Sequence, residues 1–359
     1  MSPVYTSSKL ISKATSRDKH IDTIKFLLIF SIFIFHCGSP AGNFYPFVNL
    51  YQVSIFFLVS GFWALNRIDK SPLQFICNAF KKYLVYWLFW VIIYTAYYTI
   101  ANSLSVGNAF ELFIRYFSGV RATGIWGMWF TPAFFFVSFV YFLFSKGIAK
   151  VFKVQKKALA WICCAFFFVV HYVTEYFYKI PQKLIFSLGF VPEYLFYFSL
   201  GAVVYIYISA CKPKMKQSAF LRGINCLITL CSFVYFLMYF FKKDTLIWWW
   251  LPNVLGGKLS FLSDLVTILL MYTFISCMAR CFCCNFTSKI GNNTLGLCHC
   301  EAFVKGILMC VGNLIGLSIK VTNPIEVLIF AFVALVFGCY VVLPVTDTIT
   351  KRILLVGSK

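Results

Sequence analysis

Ten apolar runs, most of them near twenty residues long, dominate this chain, at positions 20–38, 47–66, 79–100, 129–145, 157–174, 185–209, 221–241, 259–278, 290–311 and 323–345. A helix of about twenty apolar residues crosses a hydrocarbon core of about 30 Å. Lipid offers the backbone no hydrogen bonds, so a crossing segment must satisfy its own polar groups, as helices and closed barrels do. The runs are continuous rather than alternating, which argues against a membrane β-barrel. The expected fold is therefore all-α, a polytopic transmembrane helical bundle. Composition agrees. The 359 residues are 61% hydrophobic and only 12% charged, whereas a soluble chain is near half apolar and about a quarter charged.

The formal net charge is +21. The lysines and arginines behind it sit in short segments between the runs and form no single basic module, so no nucleic-acid partner is expected. They follow the bias toward basic cytoplasmic loops instead. With a cytoplasmic N-terminus, the inner segments hold Lys9, Lys13, Arg17 and Lys19, then Arg67, Lys70, Lys81 and Lys82. Further groups follow around Lys150, Lys214, Arg280 and Lys351, and the outer segments are poorer. Ten crossings preserve this alternation and place both termini in the cytoplasm. The chain then divides into a basic tail at 1–19, a membrane domain at 20–345 and a second tail at 346–359. Both tails are too short to fold alone. Membrane lipids, anionic ones included, are expected partners.

Fifteen cysteines are present, most of them inside apolar runs, where a thiol acts as a small hydrophobe. Cys281, Cys283 and Cys284 cluster in a short loop without a matching histidine pair, so no metal site is expected. No secretory cleavage pattern precedes the first run. Residues 101–128 form the longest outer connection. Its end, Arg121 to Trp129, is rich in Gly and Trp. It suits either a membrane-skimming loop or a lid over an outward cavity. Trp248, Trp249 and Trp250 suit an interfacial anchor or a platform for stacking on a sugar. No internal repeat is evident, which counts against an inverted-repeat transporter.

Ionisable groups on membrane helices are costly and mark functional positions. The first run carries Lys25 and His36. Eleven positions make three turns and a small remainder, so the two share a stripe about 16 Å long. Asp22 precedes Lys25 by three residues, at a helix start where the dipole favours an acid. Lys25 could snorkel to the surface. His36, near the outer helix end, is either a general base or an interfacial histidine bonded to a carbonyl. Glu193 and Asp264 fall in the outer half. They either line an outward polar pocket with His36 or pair within the bundle. Glu326 suits a first-turn cap. Glu301 and Lys305 are four apart, which permits an intrahelical ion pair. His299, two residues from Glu301, lies on the opposite face. His171 and His20 look interfacial.

Five motifs follow in order. They are Asp22 and Lys25 with His36 eleven residues on, then Phe56-Phe57-Leu58-Val59-Ser60-Gly61-Phe62, then Lys81-Lys82-Tyr83-Leu84-Val85-Tyr86-Trp87. Met128-Trp129-Phe130-Thr131-Pro132-Ala133 and Gly291-Asn292-Asn293-Thr294-Leu295-Gly296-Leu297 complete the set. Together they resemble the acyltransferase 3 family of bacterial integral membrane acyltransferases, over about residues 18 to 345. Val85 replaces a family proline. After the last motif, Cys298 stands for the family's tyrosine and Glu301 for its histidine.

The resemblance implies residence in a bacterial cell (inner) membrane and transfer of an acyl group, usually acetyl, from acyl-CoA. The acceptor is a hydroxyl of a cell-surface or capsular polysaccharide, or of a lipid-linked glycan. Acyl-CoA is a donor substrate, and no bound cofactor is expected. His36 and Glu301 are then the catalytic candidates. Lys25, Arg67, Lys81 and Lys82 are candidates for holding the CoA phosphates. Ser60 would orient the imidazole, Trp129 would pack on donor or acceptor, and Glu193 and Asp264 would line the acceptor cavity. The rival expectation is a proton-coupled exporter or flippase of a lipid-linked glycan, built on the acids within the membrane.

Overall fold

The computed structural model describes residues 18–120, 127–178, 181, 184–241, 260–316, 319 and 321–356. The tryptophans at 248–250, the tail lysines Lys9 and Lys13, and residues 121–126 of the outer connection lie outside them. All described regular structure is helical.

Helix α1 (Lys19–Phe35) starts at Asp18, whose carboxylate accepts from the backbone N–H of His20 at 3.0 Å. The next crossing is broken into α2 (Phe44–Asn49) and α3 (Gln52–Gly61). At the break, Tyr51 reaches across to Ser31 of α1, with the two hydroxyl oxygens 3.1 Å apart. Helix α4 (Pro72–Ala79) is capped by Ser71 and runs through a π-helical turn into α5 (Tyr86–Ala101). Then come α6 (Val106–Phe117), α7 (Phe130–Phe152), α8 (Lys156–Val173), α9 (Val191–Gln217) and α10 (Ala219–Phe241). The chain closes with α11 (Ser260–Cys281), α12 (Asn285–Asn292), α13 (Thr294–Leu314), α14 (Pro324–Phe337) and α15 (Leu343–Val356).

Among the described residues, eight helical stretches are long and apolar enough to cross a membrane. The two remaining runs are also helical but shorter. They are α1, with 17 residues, and Gly223–Met238 within α10. This is a multi-pass helical membrane protein. Helix α1 is its hub, packing against α2, α3, α11, α12, α13 and α14. That position explains its sequence, because a helix apolar on every side belongs inside a bundle.

Three differences from the sequence expectation have physical causes. The third crossing begins at Pro72 rather than 79, because Pro at the first helical position and a Ser cap start α4 early. The fourth continues to Phe152, past Lys146, whose amine folds back onto the carbonyls of Ile68 and Lys70. The connection 101–128 contains α6, which is amphipathic and too short to register as an apolar run.

Candidate active site

His36 follows the last turn of α1. Its Nδ1 lies 2.7 Å from Oε2 of Glu301 on α13. The other carboxylate oxygen, Oε1, accepts from Nζ of Lys305 at 2.7 Å. Lys305 also donates to the carbonyl of Phe33 at 2.9 Å. That carbonyl belongs to the last turn of α1, where helix carbonyls lack intrahelical partners and a cation is favoured. An ionised carboxylate only accepts, so Nδ1 donates to it. Glu301 is thus flanked by two donors, with side-chain exposures of 2% for Glu301, 11% for His36 and 12% for Lys305.

The spacing of α13 explains the arrangement. Glu301 and Lys305, one turn apart, share the face toward α1. His299 faces away from them. Its Nε2 lies 2.7 Å from the hydroxyl of Thr131 on α7, and its carbonyl accepts from Tyr94 at 2.7 Å. His299 therefore braces α13 against α5 and α7, and the imidazole that meets Glu301 comes from α1.

The end of the connection between α6 and α7 enters the bundle beside this pair. Gly127, Met128 and Trp129 are buried. Gly127 adopts φ +91°, and a Cβ there would stand 2.6 Å from the carbonyl of Cys298, one turn before Glu301. The Trp129 ring lies 5.6 Å from Phe190 and 6.0 Å from Tyr194. These three residues are buried in the protein, Gly127 against α13 and Trp129 against Phe190 and Tyr194.

Lys25 sits toward the other end of α1. Its Nζ is 3.9 Å from Asp22 and 5.3 Å above the ring of Trp63. Asp22 is a first-turn acid, as expected, and is buried; it accepts from Ser288 of α12 at 3.3 Å. Beside it Gly291 lets the two backbones meet, since a Cβ there would fall 1.7 Å from the Asp22 carbonyl. The group that holds the imidazole at Nδ1 is Glu301. Ser60 lies near the end of α3, three residues before Trp63, whose ring is under Lys25. Arg67 is half-buried in the turn after Trp63, and Lys81 and Lys82 are exposed on the π-helical turn before α5.

Glu193 and Asp264 stand at the starts of α9 and α11. Both lie within electrostatic reach of Tyr197, as does Glu175, and Tyr197 is within hydrogen-bonding reach of Ser54. Glu326 accepts from the N–H and hydroxyl of Thr322 at 2.7 and 2.9 Å, as a first-turn cap does. Among the described residues, no group of three His, Cys, Asp or Glu side chains is placed to hold a metal ion. Cys284 caps α12 instead. Bonds from the Thr287 backbone and hydroxyl hold its exposed thiol below the ordinary thiol range.

Sequence reasoning anticipated the Glu301–Lys305 pair but not the bond from Lys305 to α1, which no local spacing reveals. It also gave no partner for His299. A sequence profile described as an acyltransferase domain matches residues 18–343. No curated protein and no solved structure matches the chain. An imidazole bonded to a buried carboxylate inside a helical membrane bundle suits the chemistry that this profile names. The chain belongs to the acyltransferase 3 family and is a multi-pass membrane acyltransferase.

Proposed function

We propose that the protein transfers an acyl group, acetyl in the first instance, from acyl-CoA to a hydroxyl of a cell-surface or capsular polysaccharide, or of its lipid-linked precursor. The contact that carries this reading is His36 Nδ1 to Glu301 Oε2, 2.7 Å. With Nδ1 committed as donor, base chemistry passes through Nε2, and the carboxylate stabilises the imidazolium that forms. Nε2 takes the proton of the acceptor hydroxyl while its oxygen attacks the thioester carbonyl. The C–S bond then breaks, and the departing CoA thiolate takes the proton back from the imidazolium.

The donor reaches the site from the Lys25 end. Arg67, Lys81 and Lys82 supply cations for the CoA phosphates, and Lys25 meets the arm further along α1. Trp129 packs beside the reacting groups, and Glu193 and Asp264 serve acceptor hydroxyls. The membrane in question is the bacterial cell membrane. Purified protein in proteoliposomes, given labelled acetyl-CoA and surface glycan, tests the reading. Label should enter the glycan as CoA is freed, and His36→Ala should abolish both. Transport of glycan without CoA consumption would establish the rival exporter, to which the buried Glu301–Lys305 pair would also be suited.

A further inference from the structure

The side chains of α6 sort into three sectors. At 3.6 residues per turn, Leu112, Tyr116, Ala109 and Phe113 occupy the arc facing the bundle. Tyr116 is buried there, its ring 6.2 Å from Tyr98 of α5. Asn108, Glu111, Arg115 and Ser118 occupy a polar arc. Between these lie Val106, Phe110, Ile114 and Phe117, within an arc of about 80°. They are exposed by 88%, 65%, 48% and 36%. An apolar stripe of this kind belongs against an apolar partner.

The helix cannot swivel to hide the stripe. The carbonyl of Ser118 accepts from the N–H of Phe186 at 2.6 Å, and that of Gly119 from the hydroxyl of Ser187 at 2.7 Å. Just before α6, the crossing helix α5 exposes Ile92 and Ile100 by 53% and 79%, so large apolar side chains are exposed on both helices. Twelve residues are too few to cross the membrane.

We infer that α6 lies in the membrane interface, with Val106, Phe110, Ile114 and Phe117 inserted among lipid acyl chains and the Glu111–Arg115 face toward the headgroups and water. This is the geometry of an interfacial amphipathic helix. Glu111 and Arg115 cancel in charge, so insertion rests on apolar contact and needs no anionic lipid. Through Ser118 and Gly119 the helix leads to the segment that enters the bundle at Gly127.

The inference is independent of the acyl-transfer reading, because its test reads no activity. A benzophenone side chain is placed at Phe110, Ile114, Glu111 or Arg115 of the full chain, in nanodiscs of phosphatidylcholine, and adducts are identified by mass spectrometry after illumination. Lipid acyl-chain adducts at Phe110 and Ile114 should exceed those at Glu111 and Arg115 by about fivefold or more. Equal yields at all four positions would overturn the inference. So would cross-linking at Phe110 and Ile114 to a second copy of the chain in place of lipid.

Discussion

Glu301 and His36 are separated by 265 positions in sequence, and their side chains meet at 2.7 Å. The contact joins the hub helix to α13 and gives the imidazole a fixed orientation inside the helical bundle. Glu301→Gln keeps the shape but replaces an anion with a neutral amide beside Nδ1. The imidazolium formed during transfer then loses its counter-charge. Turnover should fall by about 10²-fold or more, with a smaller change in the KM for acyl-CoA. Steady-state release of CoA by the purified variant checks this. An unchanged rate would reduce Glu301 to a structural brace.

How far the sequence leads to this pair depends on the level of organisation. The ten helical runs are legible because lipid imposes a length and a composition on each one. The Glu301–Lys305 pair is legible because helical spacing is local. The meeting of Glu301 with His36 is a long-range contact, and no period within either helix encodes it. Resemblance of the ninth run to a family motif singled out Glu301, but no local spacing in that run names the side chain it meets. Helix α6 is not legible as an apolar run because a polar sector interrupts its twelve residues.

Lys305 touches both Glu301 and the end of α1. Lys305→Met removes the ammonium group that pairs with the buried Glu301 carboxylate. Stability should fall by about 3–5 kcal/mol, and adding Glu301→Gln should restore much of it. Turnover should fall as well, because the bond that ties α13 to the end of α1 is gone. Lys305→Arg, which keeps the charge, should lose less of both. Thermal unfolding in detergent, read beside steady-state CoA release, separates these outcomes.

Gly127 tests whether the buried end of the outer connection matters to transfer. Gly127→Ala adds a methyl 2.6 Å from the Cys298 carbonyl at φ +91°, costing about 1–3 kcal/mol at that backbone. The segment should shift off α13 and carry Trp129 with it. Acyl transfer should drop more than the unfolding midpoint does. Gly147→Ala, in α7 with nothing within 4 Å of the added Cβ, should leave both unchanged or raise stability slightly. Equal losses of activity from the two variants would remove Gly127 from the site.

Cys284 gives a prediction outside the membrane helices. Its thiol is held below the ordinary range first by the Thr287 backbone N–H and then by the Thr287 hydroxyl. The thiolate is the reactive form, so a lowered titration point makes it available at lower pH. Thr287→Val removes the hydroxyl bond, and the midpoint for maleimide labelling of Cys284 should rise. Thr287→Ser, which keeps a hydroxyl, should leave it near the original value. The Thr287 hydroxyl also stands 3.1 Å from that of Thr23 in α1, so Thr287→Val should loosen α12 from the hub helix as well. Peptide-resolved labelling across pH, read beside hydrogen exchange in α12, measures both effects. An unchanged midpoint in Thr287→Val would show that the backbone N–H alone holds the thiolate.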